Sequence, residues 1–88
     1  MKKFVLDCKC IKSKSAFHKA CKRVFKLDDY YGENLDALWD MLTERKYLDI
    51  KVKNSKNLLI NLGDYGQMCL ELLMRLNDVN ENYRVRIY

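Results

Sequence analysis

The chain alternates between two kinds of apolar spacing, and that alternation predicts its elements. Residues 2–6 form a short apolar-centred run, read as a strand. Ser13 or Ser15 can then cap a helix by accepting from free N–H groups of its first turn. Phe17, Ala20, Cys21, Val24 and Phe25 follow at i, i+3, i+4, i+7 and i+8, a helical stripe. His18 lies just beside that stripe and is read as a surface or boundary residue. The period breaks over Leu27–Gly32, where Gly32 is expected to supply a turn that other residues resist. Asn34 is placed to cap a second helix whose stripe is Leu35, Leu38, Trp39 and Leu42. From Lys46 to Lys53 the spacing shortens to two. Leu48, Ile50 and Val52 face one side and Asp49, Lys51 and Lys53 the other, as in a half-buried strand. Ser55 is expected to cap a short helix ending at Gly63, and Asp64 to cap another, with Cys69, Leu72, Leu73 and Leu76 on one face. After a turn at Asn80–Asn82, Tyr83, Val85 and Ile87 alternate to the last residue, Tyr88.

The order is therefore strand, helix, helix, strand, helix, helix, strand, in one domain over 1–88. No tight hairpin joins two strands, and helical crossovers imply parallel pairing. The expected fold class is α/β: a three-stranded parallel sheet covered by about four helices. Two strands alternate instead of being apolar throughout, so helices should cover one face and leave the other partly wet.

Composition adds limits. With 88 residues, 49% hydrophobic and 33% charged, the chain suits one globular core. No apolar run approaches the ~20 residues of a membrane span. Met1–Leu6 begins like a signal peptide, but Asp7 stops its apolar part after three residues. A cytoplasmic location without membrane contact is expected. Cys8, Cys10, Cys21 and Cys69 include no Cys-x-x-Cys pair, and His18 is the single histidine, so zinc spacing is missing and no metal or cofactor is expected. The cysteines read as reduced, structural residues.

Charge changes the picture most. The net charge is +5, yet Leu27–Glu44 holds Asp28, Asp29, Glu33, Asp36, Asp40 and Glu44 and no base. The remaining six acids stand against 17 bases, a balance of +11. On a helix, Glu33, Asp36, Asp40 and Glu44 fall within an arc of about 80°. Like charges three and four apart repel mildly. The helix dipole favours the acids at the start, Glu33 and Asp36, and leaves Asp40 and Glu44 unexplained. A solvated helix face is the plain reading of such a run, but in a lysine-rich chain that face would normally mix signs. Tyr30, Tyr31 and Trp39 flank the acids, with Trp39 and one tyrosine expected to reach the core. Aromatic side chains of this kind anchor protein interfaces.

The run Tyr30-Tyr31-Gly32-Glu33-Asn34-Leu35-Asp36-Ala37-Leu38-Trp39-Asp40 closely resembles the signature of the barstar family, intracellular inhibitors of barnase-type ribonucleases. The second half of the chain fits that family by pattern more than by residue. The resemblance implies a barstar-like fold and a one-to-one complex with a secreted ribonuclease, whose active site receives the second helix and the loop before it. Asp40 would stand where the substrate phosphate binds, Asp36 would pair with another base, and Tyr30 would stack on the enzyme's histidine. Gly32, Asn34, Leu35, Trp39, Thr43 and Glu44 would complete the contact. Three departures stand out. Barstar is acidic and this chain is basic, Arg45 replaces an interfacial tryptophan, and Asp78 is the nearest counterpart of a further acid on the last long helix. A related but different target nuclease is expected.

Two rival classes compete with an inhibitor. An enzyme would use Asp36 and Asp40 as a carboxylate pair, but no glycine-rich phosphate loop or nucleophile beside a base accompanies them, and no catalytic residue is assigned. A basic nucleic-acid-binding module would use the lysines crowded into the first quarter, from Lys2 to Lys26; those are read first as a solvated surface.

Overall fold

The computed structural model describes residues 2–88; Met1, which opens the leader-like start and the 1–88 domain, lies outside the described residues. Strand β1 spans Lys3–Asp7, β2 Leu48–Lys53 and β3 Tyr83–Ile87. Helices α1 (Lys14–Phe25) and α2 (Leu35–Thr43) connect the first two strands. Helices α3 (Lys56–Leu62) and α4 (Asp64–Arg75), with a 3-10 turn at Leu76–Asp78, connect the last two. The sheet order is β1-β2-β3 with both pairs parallel, as the helical crossovers require.

Register explains the two faces of the sheet. Phe4, Ile50 and Val85 align across it, as do Leu6, Val52 and Ile87. These point toward the helices, and Leu6, Ile50 and Val52 are fully buried there with Phe17, Cys21, Phe25, Leu38, Leu42, Leu58 and Leu73. Burying each Leu, Ile or Phe removes apolar surface worth about 1.5–3 kcal/mol. The opposite face carries Lys3, Asp49 and Arg84 in one row and Val5, Lys51 and Arg86 in the next. No helix covers it. The alternation read from the sequence reports this arrangement.

Local chemistry sets the joints, and several differ from expectation. Ser13, not Ser15, caps α1, its Oγ accepting from the Ala16 N–H at 3.0 Å. Ser55 lies in helical backbone geometry and makes no side-chain cap bond. Asp64 is inside the first turn of α4, and Gly63 occupies the cap position before it. Gly63 has φ 58° and ψ −127°, a conformation glycine alone adopts readily. Its N–H closes α3 on Leu59 O, and its carbonyl opens α4 by accepting from Gln67. Strand β2 begins at Leu48, two residues later than the spacing suggests, and Leu76 is buried from the 3-10 turn instead of from α4. The side chain of Asn77 exchanges two hydrogen bonds with the backbone of Val85, at 2.7 and 3.1 Å, and so occupies part of the outer edge of β3.

Candidate functional site

The acidic segment begins in a loop with little freedom. Lys26 ends α1 in the left-handed region, φ 55°, while Leu27 N–H returns to Lys22 O at 3.0 Å. Asp28 organises the next turn: its Oδ1 accepts from Tyr30 N–H at 2.7 Å and its carbonyl from Tyr31 N–H at 2.9 Å. This turn separates two adjacent tyrosines. Tyr30 stands 92% exposed, whereas Tyr31 is buried.

Tyr31 is held by the residue that sequence reasoning placed wrongly. His18 is not a surface residue; it is 2% exposed. Its Nδ1 lies 2.5 Å from Tyr31 Oη and its Nε2 2.6 Å from Tyr65 Oη. A neutral imidazole has one N–H and one lone pair, so one tyrosine accepts from it and the other donates to it. Burial pushes the imidazole below its ordinary pKa, with Glu33 opposing that shift. The same burial raises both phenols. His18 thus ties α1, the loop and α4 together. His18, Cys21 and Phe25 stand at i, i+3 and i+7, so the helical period carries the signal, although a polar residue beside a good apolar stripe reads as its border.

The left-handed position in this loop is Glu33, φ 52°, and not Gly32. Gly32 instead sits in a tight space. A Cβ there would lie 3.1 Å from Asn34 Nδ2 and would press on the helix cap. Asn34 caps α2 as expected: Oδ1 accepts from Ala37 N–H at 2.8 Å, and Nδ2 donates to Gly32 O at 3.3 Å. At the other end, Thr43 Oγ1 donates to Trp39 O at 2.8 Å, with Asp40 O at 3.3 Å. Tyr83 Oη shares its proton between Leu42 O, at 2.9 Å, and Arg45 O, at 2.5 Å. Both ends of a nine-residue helix are therefore satisfied, and Leu38 and Leu42 fix its inner face in the core.

On the outer face Asp36 and Asp40 are exposed, with Glu33 just before the helix and Glu44 at its C-cap also exposed. Among the described residues, none of the four forms an ion pair. Leu35 and Trp39 are half-buried beside them. Trp39 borders a groove of about 330 Å³ between α2 and α4, whose walls include Leu35, Asp36, Glu71, Leu72 and Arg75. The acid that α4 brings beside Asp36 is thus Glu71. Asp78 lies further along, in a shallow depression with Glu71, Met74 and Arg75. Arg45 borders a depression with Asp28, Met41 and Glu44, while its guanidinium donates to Phe25 O and lies 5.3 Å from the Phe4 ring centroid.

The structure therefore groups Tyr30, Asn34, Leu35, Asp36, Trp39, Asp40, Thr43 and Glu44 on one helix and its entry loop, with Gly32 at the bend. Among the described residues, no three His, Cys, Asp or Glu side chains converge as a metal set. The four cysteines are free; Cys8, Cys21 and Cys69 are buried, while Cys10 is exposed.

Comparison with known proteins agrees with this construction. Residues 1–88 match the family described as barstar (barnase inhibitor). A relative from Bacillus subtilis (strain 168), named "Putative ribonuclease inhibitor YrdF", is 32% identical over 80 residues, covering 89% of this chain and 88% of that protein. The parallel sheet, the order βααβααβ and the match along the whole chain together show that this protein belongs to the barstar family of barnase inhibitors.

Proposed function

We propose that this protein inhibits a barnase-type ribonuclease by inserting α2 and its entry loop into the enzyme's active site, in a one-to-one complex. The observation that carries the reading is the group of exposed acids on a doubly capped helix that, among the described residues, have no ion-pair partner, in a chain whose remaining charge is basic. A ribonuclease site built to hold phosphate offers cations in a concave pocket. Asp40 takes the place of the phosphate, and Asp36 meets a second basic group. Exposed Tyr30 stacks on the catalytic imidazole. Gly32, Asn34, Leu35, Trp39, Thr43 and Glu44 seal the contact.

The energetics favour such a plug. Charge-assisted hydrogen bonds are roughly twice as strong as neutral ones. Neither aspartate breaks an internal ion pair to make them, and the rigid helix spends little ordering entropy on docking. The carboxylates act as ligands for the enzyme's cations and not as catalytic groups of their own. The inhibitor works in the cytoplasm, where it meets the ribonuclease before secretion. Among the described residues no helix is long and apolar enough to cross a membrane.

Calorimetry against barnase-type ribonucleases, paired with their RNA-cleavage assay, tests the reading. Binding is expected at one-to-one stoichiometry with loss of cleavage. Removing one member of a buried charge pair costs about 2–5 kcal/mol, so Asp40→Ala should bind at least about 30-fold more weakly. Equal binding by wild type and Asp40→Ala, or binding that leaves cleavage intact, refutes it.

A further inference from the structure

The open face of the sheet carries chemistry that the acidic helix does not use. Its two acids are already engaged. Asp49 pairs with Arg86 at 3.2 Å, and Asp7 Oδ1 accepts from Asn54 Nδ2 at 2.8 Å and Lys9 N–H at 3.0 Å. Among the described residues, Lys3, Lys51, Lys53 and Arg84 on that face form no ion pair. The cations become concave at the carboxyl ends of β2 and β3. There Lys51, Lys53, Lys56, Asn54, Asn57 and Tyr88 border a depression of about 740 Å³ with no Asp or Glu side chain in its lining among the described residues. Crevices outside the carboxyl ends of parallel strands are where ligands commonly bind such sheets.

Tyr88 gives the depression a second kind of chemistry. It is 61% exposed, and Lys51 Nζ lies 5.3 Å from its ring centroid. An exposed aromatic ring bordered by lysines and amides matches a ligand with flat faces and a repeated negative charge. A single-stranded nucleic acid offers both at every nucleotide, whereas an acidic protein segment brings a flat face only where an aromatic side chain falls among its acids.

We infer that this depression binds single-stranded RNA, with a base stacked on Tyr88 and adjacent phosphates on Lys51, Lys53 and Lys56. A base entering over the ring displaces Lys51 from its cation–π position and frees the ammonium for phosphate, so one rearrangement makes both contacts. Asn54 and Asn57 lend their amides to hold the lysine-bearing turn, through Asp7 and through Lys9 O at 3.0 Å. The site shares no residue with the acidic face and does not depend on the inhibitor reading.

The test is fluorescence anisotropy of a short, labelled, mixed-sequence single-stranded RNA across a range of KCl concentrations. For wild type, log K should fall linearly with log salt. Combining Lys51→Ala, Lys53→Ala and Lys56→Ala removes three phosphate contacts and should flatten that slope by about 2, at roughly 0.7 per contact. Tyr88→Ala should weaken binding about 5- to 150-fold with the slope retained, the range for one base–aromatic stack. Tyr88→Phe, which keeps the ring, should retain the affinity. Asp36→Ala with Asp40→Ala should retain the Tyr88 and lysine dependence of RNA binding, and the triple lysine variant should release ribonuclease at the wild-type dissociation rate, which separates this site from the inhibitory one. Circular dichroism confirms that each variant is folded. The inference is overturned if the lysine and Tyr88→Ala variants bind RNA like wild type, or if polyglutamate at matched charge displaces the RNA as well as unlabelled RNA does.

Discussion

Removing the Tyr31 hydroxyl tests whether the His18 cluster holds the entry loop. Tyr31→Phe keeps the buried ring and its packing but deletes the oxygen 2.5 Å from His18 Nδ1. The site is closed to solvent, since His18 is 2% and Tyr31 5% exposed, so water cannot easily replace the lost partner. A buried polar group left unsatisfied costs about 1–3 kcal/mol. In a domain of this size each kcal/mol lowers Tm by about 4–8 °C, so a drop of about 5–20 °C is expected. Tyr65→Phe should cost less, below about 1 kcal/mol, because Tyr65 is only half-buried and water can reach its end of the imidazole. Urea unfolding followed by Trp39 fluorescence measures both, with an unchanged m-value as the check that the unfolding transition is the same. The cluster also sets a pH dependence. Burial lowers the folded pKa of His18, so the unfolded chain binds more protons between that value and its own, near 6.5. Stability from this group is complete above about pH 6.5 and is lost as pH falls toward the depressed folded value. His18→Gln should remove that part of the profile. A Tyr31→Phe variant within about 0.5 kcal/mol of wild type would refute the anchoring role.

Three further outcomes follow from the same coordinates. Asp36→Ala combined with Asp40→Ala should leave stability within about 0.5 kcal/mol of wild type in urea titration, because relief of like charges at i, i+4 offsets the loss of Asp36 from the positive end of the helix dipole and, among the described residues, no ion pair is lost. Cys10 should react at once with a thiol reagent, while Cys8, Cys21 and Cys69 react only on unfolding, as time-resolved absorbance will show; they are buried, and burial pushes the Cys8 thiol up to about 11 and that of Cys69 to about 12. Gly66→Ala should cost about 3 kcal/mol or prevent folding, measured by circular dichroism, because its Cβ would stand 2.1 Å from Leu58 O where α4 crosses the backbone of α3.

The elements were legible because apolar spacing follows backbone period. Leu48, Ile50 and Val52 could lie on one side only of an extended strand, and Phe17, Cys21 and Phe25 on one side only of a helix. The acidic face was legible because four acids without bases conflict with the charge of the rest. Side-chain partners across distant elements were not legible. Nothing local says that His18 meets Tyr65, 47 residues away, or that Arg45 turns toward Phe4. Gly32 shows a subtler loss. Glycine and a turn belong together in sequence, but the positive φ falls on Glu33, and a Cβ one place earlier, at Gly32, would crowd the Asn34 cap. The joint at Gly63 has a similar origin, because its own backbone closes α3 and opens α4 and Asp64 does not need to cap.

The charge distribution carries a last consequence for association. The described residues span 31 × 28 × 19 Å and the chain carries +5 overall, with six of its twelve acids gathered on α2 and its entry loop. At about 0.01 M salt the Debye length, ~30 Å, spans the whole molecule, so a basic ribonuclease feels repulsion from the net charge together with attraction to the acidic face. At about 0.15 M the length falls to ~8 Å, and only charges near the contact act. Screening therefore removes the unfavourable distant term before it removes the favourable local one. For two proteins of opposite net charge, stopped-flow association slows steadily as salt rises. Here the rate should stay level or rise between about 0.01 and 0.1 M salt and decline only above it. Replacing distant lysines such as Lys51, Lys53 and Lys56 by glutamate should restore the steady decline without altering the dissociation rate. A monotonic fall in the wild-type rate from the lowest salt would show that the acidic face steers by itself, and that the basic remainder of the chain has no part in setting how fast the complex forms.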